Sequence, residues 1–263
     1  VNQAILTTPA AGAATVGGSV LLEAGGAITL ATSGTITTTG AASTGTAGGV
    51  GGEIFINHTN AAAGAITIGK NITAAGGATT VGAFNGGAGG VVTISNADGA
   101  ILLTAGAIDV SGGTSGAATQ GNAGTVQLKT AGTNSAITQT GETVATAILA
   151  KGGTSGSLSV VSATGDVTLT NDTNDVAKVS ANIATAGKFF KYTDANALAI
   201  DTVTAVGTLS APSTTVALPV ADTVGITTLG GVGGKVEVNA LSAAGTLDVN
   251  QAILTTPAAG AAT

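Results

Sequence analysis

Apolar runs of three to five residues, alternating with Thr or another polar residue and stopping at glycine, set the rhythm of this chain. Between Ser19 and Gly52 three such runs follow one another: Val20-Leu21-Leu22-Glu23, Ala27-Ile28-Thr29-Leu30 and Thr35-Ile36-Thr37-Thr38. A stretch of almost nothing but Ala, Gly, Ser and Thr fills Gly40 to Gly52, and the pattern restarts at Glu53-Ile54-Phe55-Ile56. β-branched residues dominate the runs, and Gly pairs interrupt windows long enough for a helix, so the runs read as strands.

The plan recurs. Ile54-Phe55-Ile56 leads to Ala65-Ile66-Thr67-Ile68 and Asn71-Ile72-Thr73-Ala74; Val91-Val92-Thr93-Ile94 leads to Ala100-Ile101-Leu102-Leu103 and Ala107-Ile108-Asp109-Val110. Val126-Gln127-Leu128 leads to Ala136-Ile137-Thr138 and Ala147-Ile148-Leu149-Ala150. First strands start near Val20, Ile54, Val92, Val126 and Leu158, and the phase is clear again at Val236. A period of about 34 residues belongs to repeat architectures, whose units bury an apolar face only by stacking on neighbours. So even a repeat, without regular hairpin signals, predicts an all-β, right-handed parallel β-helix (a β-solenoid) with coils of about 34 residues. Each strand then lies about 4.8 Å above its equivalent in the coil before. The stacked core is expected at Val20, Ile28, Ile36, Ile54, Ile66, Ile72, Val92, Ile101, Ile108, Val126, Ile137 and Ile148. The Gly/Ala/Thr-rich loops, such as Gly82 to Gly90 and Gly112 to Gly124, are expected to leave on one side and lie flat on one another. Glycine there supplies either a positive φ or close backbone approach.

Between Asn171 and Gly230 the rhythm weakens, with room for roughly two coils. Phe189, Phe190 and Tyr192 fall in this zone, where they either fill a wider corner or form a partner-contact patch. A longer repeat overlies the short one: Val1 to Thr15 returns identically at Val249 to Thr263. Residues 1–263 therefore read as one solenoid module, a 248-residue period of a tandem array followed by the opening of the next. Duplicated termini are the alternative explanation. With no Met, even at position 1, the chain is expected to be a piece cut or processed from a longer one.

Composition narrows the function classes. The chain has 43 glycines, only four Phe and one Tyr, and no Trp or Cys, so neither an aromatic-anchored core nor disulfide stapling is available. Glycine does not recur at every third position, which excludes collagen. Thirteen acidic residues against seven lysines give a net charge of −6, a poor surface for nucleic acid. No apolar run is long enough to insert in a membrane as a helix.

Catalytic equipment is sparse. His58 is the only histidine and is expected to be a solvent-exposed loop residue; without Cys it has no partners for a zinc site. No serine-histidine-acid triad and no paired carboxylates on neighbouring units stand out, and no Gly-rich stretch ends in Gly-Lys-Ser/Thr, so no enzyme and no cofactor are expected. Asn171-Asp172-Thr173-Asn174-Asp175 is the densest oxygen cluster, making Asp172 and Asp175 weak calcium candidates against the simpler reading of a self-bonded turn. Three Asn-x-Thr triplets begin at Asn57, Asn71 and Asn171, acceptor sites only in a glycosylating host. Thr35, Thr37 and Thr39 alternate as an ice-binding face requires, but Ile108-Asp109-Val110 and Val236-Glu237-Val238 break the array.

Gly18-Ser19-Val20-Leu21-Leu22-Glu23-Ala24-Gly25-Gly26-Ala27-Ile28-Thr29-Leu30, and the unit ending Ala107-Ile108-Asp109-Val110-Ser111-Gly112-Gly113, resemble the filamentous-haemagglutinin-like repeats of giant secreted bacterial proteins. The resemblance covers most of residues 16–170 and 231–263. It implies an extracellular or outer-surface protein of a Gram-negative bacterium, acting as filament, sheath or adhesin. The expected role is a structural building block whose partners are copies of the same module, end to end and bundled laterally. The alternative is an adhesin stalk that binds a host surface or glycan.

Overall fold

In the computed structural model the described residues are 1–31, 33–62, 64–80, 82–116, 118–141, 144–153, 156–206, 208–210, 215–217, 220–230, 234–242 and 245–257. Among them, the one helical element is the 3-10 turn Val144–Thr146; the other regular elements are strands. The strands stack in parallel on three faces.

The long face carries Ser19–Ala24, Glu53–His58, Val91–Asn96, Thr125–Thr130, Ser157–Ser162 and Lys178–Ile183, each paired with the next. The middle face carries Ile28–Leu30, Ile66–Ile68, Ile101–Leu103, Ile137–Gln139, Val167–Leu169, Phe189–Asp194 and Lys235–Ala240. On the short face stand Ile5–Leu6, Ile36–Thr37, Ile72–Thr73, Ile108–Asp109 and Ile148–Leu149. This is the arrangement of a parallel β-solenoid.

Period-two alternation decides what is inside. On the long face Ile54 and Ile56 point into the coil, while Phe55 and Asn57 point out. Val20, Ile54, Val92 and Val126 stand side by side, as do Ile28, Ile66, Ile101 and Ile137, and Ile36, Ile72, Ile108 and Ile148. All twelve are buried in one apolar cluster. At about 1.5–3 kcal/mol for each fully buried aliphatic side chain, this column is the main source of stability in a chain so poor in aromatic residues.

The Gly-rich loops form a two-layered fin. Each runs out from the short face and returns to the long face, and the two arms bond at every third residue. Gly90 and Gly87 donate to the carbonyls of Ala74 and Gly77 at 2.7 and 2.9 Å, and Gly124 and Gly121 to Val110 and Gly113 at 2.8 and 3.0 Å. Between coils, Gly77 donates to Gly49 and Gly113 to Gly87, while outgoing arms bond to outgoing arms (Gly76 to Ser111) and returning to returning (Gly89 to Asn122). A step of three residues with bonds in several directions is that of packed polyproline-II-type chains, which turn once every three residues. Side chains do not fit between them. A Cβ on Gly49, Gly77, Gly87, Gly113 or Gly121 runs into a carbonyl oxygen of the layer before it. None of these glycines has a positive φ, so the fin needs glycine for close approach and not for left-handed backbone.

The fin ends at a short turn through Gly152 and Gly153, with φ of 113° and 53°. Leu158 and Val179 are then register partners only 21 positions apart. One level further on, the long face is split. Leu198–Ile200 pairs with the start of Lys178–Ile183, and Ile226–Gly230 pairs with its end. The intervening chain leaves the stack as an arm with two antiparallel pairs, Thr202–Val203 with Thr223–Val224 and Thr208–Ser210 with Thr215–Ala217. These pairs depart from the purely parallel expectation. The arm folds back over the outside of the long face: Thr223 bonds Ser159 through their hydroxyls, the Val206 N–H donates to Gln127 Oε1 at 3.1 Å, and Val220 packs on Phe55. The outward column Phe55, Thr93, Gln127, Ser159 and Ser180 is therefore buried.

Candidate functional site

The corner between the long and middle faces is polar. His58, Asn96, Thr130 and Ser162 occupy equivalent last positions of successive long-face strands and are all fully buried. Asn96 Nδ2 donates to the carbonyls of Gly64 and Ala100 at 2.8 and 3.0 Å, Thr130 Oγ1 to Ser135, and Ser162 Oγ to Ser135 and Gly165. Asn96, Thr130 and Ser162 thus take up backbone groups that a tight corner leaves unpaired. His58 belongs to this column and not to a solvent-exposed loop: its Nδ1 bonds Asn96 Oδ1 at 2.9 Å. Asn96 already donates through its amide, so Nδ1 of His58 carries the proton.

A second buried polar group sits where the fin is lost. Asn171 Oδ1 accepts from the N–H and hydroxyl of Thr173, closing the turn on itself. Asp172 is exposed, while Asp175 pairs with Lys151 at 3.6 Å and accepts from Asn196 Nδ2 at 2.8 Å. Among the described residues no group of three or more His, Cys, Asp and Glu could hold a metal ion.

Phe190 and Tyr192 are fully buried in the apolar cluster with centroids 6.4 Å apart, and only Phe189 is partly exposed. The partner-contact patch is therefore not assembled: alternation along Phe189–Asp194 turns Phe190 and Tyr192 inward, onto Val167 and Leu169. The Tyr192 hydroxyl donates to Asp194 Oδ2 at 2.7 Å, which also accepts from Val176 N–H, while Oδ1 accepts from Asn196 N–H. Burial is the largest influence on Asp194 and raises its pKa from the ordinary 3.8 to about 6, against the lowering effect of these donors; the charge of Asp175 raises it further. Burial, then the neighbouring Asp194, also pushes the Tyr192 hydroxyl well above its usual value.

A raised carboxyl pKa means the folded chain binds the proton more tightly than the unfolded one. Stability therefore falls as pH rises from about 4 to about 6 and then levels off. Two units correspond to about 3 kcal/mol. Denaturant titrations at pH 4, 5, 6 and 7 are expected to show this slope in the wild-type chain and its loss in Asp194→Asn. Equal slopes in the two chains place the titration elsewhere.

The remaining candidate surface lies at the two ends of the stack. Among the described residues, at one end Ser19–Ala24 and Ile5–Leu6 each have one strand partner, and the free side of Ile28–Leu30 receives only Val1, whose amine donates to the Thr29 carbonyl at 2.6 Å. At the other end Lys235–Ala240, Leu247–Val249 and Ile253–Pro257 each pair on one side. Exposed apolar side chains gather there: Leu6, Val16 and Val50 at the first, Leu241, Leu247 and Val249 at the second. Unpaired N–H and C=O rows beside apolar side chains are templates for further strands. Sequence reasoning reaches the coils and the flat stacking of the Gly-rich loops on one side, but not the buried polar corner or the arm.

No family model, no curated protein and no solved structure matches the chain.

Proposed function

We propose that this chain is a structural building block of an extracellular bacterial fibre, sheath or surface filament, stacked end to end as a right-handed parallel β-helix. One observation carries the reading: the long and middle faces run in register from one open edge to the other, while the short face stops at Ile148–Leu149, so a further coil or a second copy meets parallel ladders of two faces at either end. Main-chain bonds supply the adhesion and the inward column supplies apolar burial, as in strand addition to an exposed sheet edge. Coils of about 34 residues add the fin to the layers before Gly152 at little side-chain mass. A binding stalk that contacts its partner through Phe189, Phe190 and Tyr192 is less well supported, because two of those residues belong to the core.

Electron microscopy and fibre diffraction of concentrated chain and of native material test this. Rods with an axial spacing near 4.8 Å, lengthening with concentration, are expected. A monodisperse monomer at every concentration, with no rods in native material, overturns the assignment.

A further inference from the structure

The chain uses its two identical segments differently. Val1–Thr15 forms a layer in front of the first complete coil. Val1 N donates to the Thr29 carbonyl at 2.6 Å and its own carbonyl accepts from Ala31 at 3.1 Å. Ile5 and Thr7 donate to Thr35 and Thr37, both at 2.9 Å, Gly12 donates to Ala42 at 2.9 Å, and the Thr15 carbonyl accepts from Ala41 at 3.0 Å. This layer runs from the middle-face edge across the short face and into the fin, with Ile5 beside Ile36 and against the apolar cluster.

The second copy, described as far as Pro257, lies on the long face instead. Val249 pairs with Ile200, Ile253 with Ile226 and Leu254 with Thr227. It is the less well buried in two of three places. Val249 is 55% exposed against 37% for Val1, and Ile253 is exposed where Ile5 is half-buried; Leu254, at 46%, is better covered than Leu6 at 67%.

An edge that accepts one sequence accepts its duplicate. We propose that the segment beginning at Val249 moves onto the short-face edge of a second copy of this chain, so that Ile253 and Leu254 take the places of Ile5 and Leu6 beside Ile36 and Thr37. This deepens the end-to-end reading and rests on it. Incoming and displaced segments have the same sequence, and the displaced Val1–Thr15 takes the long-face place that the incoming segment vacates, so the hydrogen bonds lost and gained cancel. The drive comes from covering Val249 and Ile253 and from the two open ends meeting. The duplication thereby fixes both partner and register, because each copy carries both the segment and the edge that fits it.

The chain has no native cysteine, so a disulfide test is clean. Leu6 and Thr37 are register partners, which predicts disulfide-compatible spacing for their substitutes. Full-length chain carrying Thr37→Cys and Leu254→Cys is expected to form interchain disulfides on oxidation, at least tenfold above Leu254→Cys alone. A labelled peptide with the sequence of Val1–Thr15 is expected to compete with that cross-link, and the same peptide with Ile5→Asp is not. Cross-linking no higher than in the single variant, or unaffected by the peptide, overturns the exchange. Rods that keep the 4.8 Å spacing without the cross-link sink the exchange alone, whereas absence of rods sinks the end-to-end reading itself.

Discussion

Gly87→Ala is expected to unfold at a much lower urea concentration than the wild-type chain, with a loss of about 3 kcal/mol or more. A methyl group on Gly87 points at the Gly49 carbonyl of the preceding coil, far inside van der Waals contact, with Gly48 O also close. Relief requires one arm to move away from the other, but Gly87 also donates to Gly77 and accepts from Gly113, so either shift breaks bonds in a neighbouring layer. Collagen obeys the same rule for the same reason: only glycine fits where three-residue helices pack closely. Gly26→Ala is the matched control. Nothing lies within 4 Å of its Cβ position and its φ is not positive, so it is expected to be neutral or to stabilise by a few tenths of a kcal/mol through the unfolded state. Far-UV circular dichroism in urea reads both variants; equal midpoints disprove the packed fin.

The contrast shows what the sequence made legible. Ile54, Ile66 and Ile72 announced the three faces because each is β-branched, flanked by polar residues and repeated at nearly constant spacing, so local pattern and long-range register agree. Beyond Gly156 the same strands continue, but their spacing drops from 32 between Val126 and Leu158 to 21 between Leu158 and Val179 once the fin is absent. A search for a constant period reads that change as decay. The burial of His58 is not legible because polarity suggests exposure, whereas its strand ends at the corner position that Asn96, Thr130 and Ser162 occupy in later coils, and it bonds the Asn96 side chain there. The arm left no periodic signal, since it packs by covering the outward residues Phe55, Gln127 and Ser159 of strands already committed to the stack. The duplicated segment shows the limit most directly: one sequence pairs with Ile36 in one place and with Ile226 in the other, so neighbours and not residues choose the face.

Asn174→Leu is expected to be the most damaging polar substitution, at about 4 kcal/mol, although it keeps the branched shape and adds apolar surface. Asn174 stands where the short face has no strand left to continue it. Its Oδ1 accepts from the Ile148 N–H at 2.9 Å and from Gln139 Nε2 at 2.8 Å. The two N–H groups of its Nδ2 are shared among the carbonyls of Leu169 and Thr193, at 3.2 and 3.1 Å, and Gln139 Oε1 at 3.1 Å. One side chain therefore joins the last finned coil to the two compact levels beyond it. With Leu in its place Gln139 keeps Thr146 and Asn171 as partners, but the Ile148 N–H loses the Asn174 acceptor and the Leu169 and Thr193 carbonyls lose the Asn174 donor. Each orphan costs about 1–3 kcal/mol, more than burying Leu returns. The location matters as much as the magnitude. In a stack where each layer touches only its neighbours, one weak interface divides a single cooperative transition into two. Wild-type chain is expected to melt in one step, and Asn174→Leu in two, with hydrogen exchange fastest on the residues from Ile148 to Thr193. The exposed neighbour Asp172→Ala is expected to leave the transition within about 0.5 kcal/mol. A single unshifted transition in Asn174→Leu contradicts the account of how the finned and compact parts are joined.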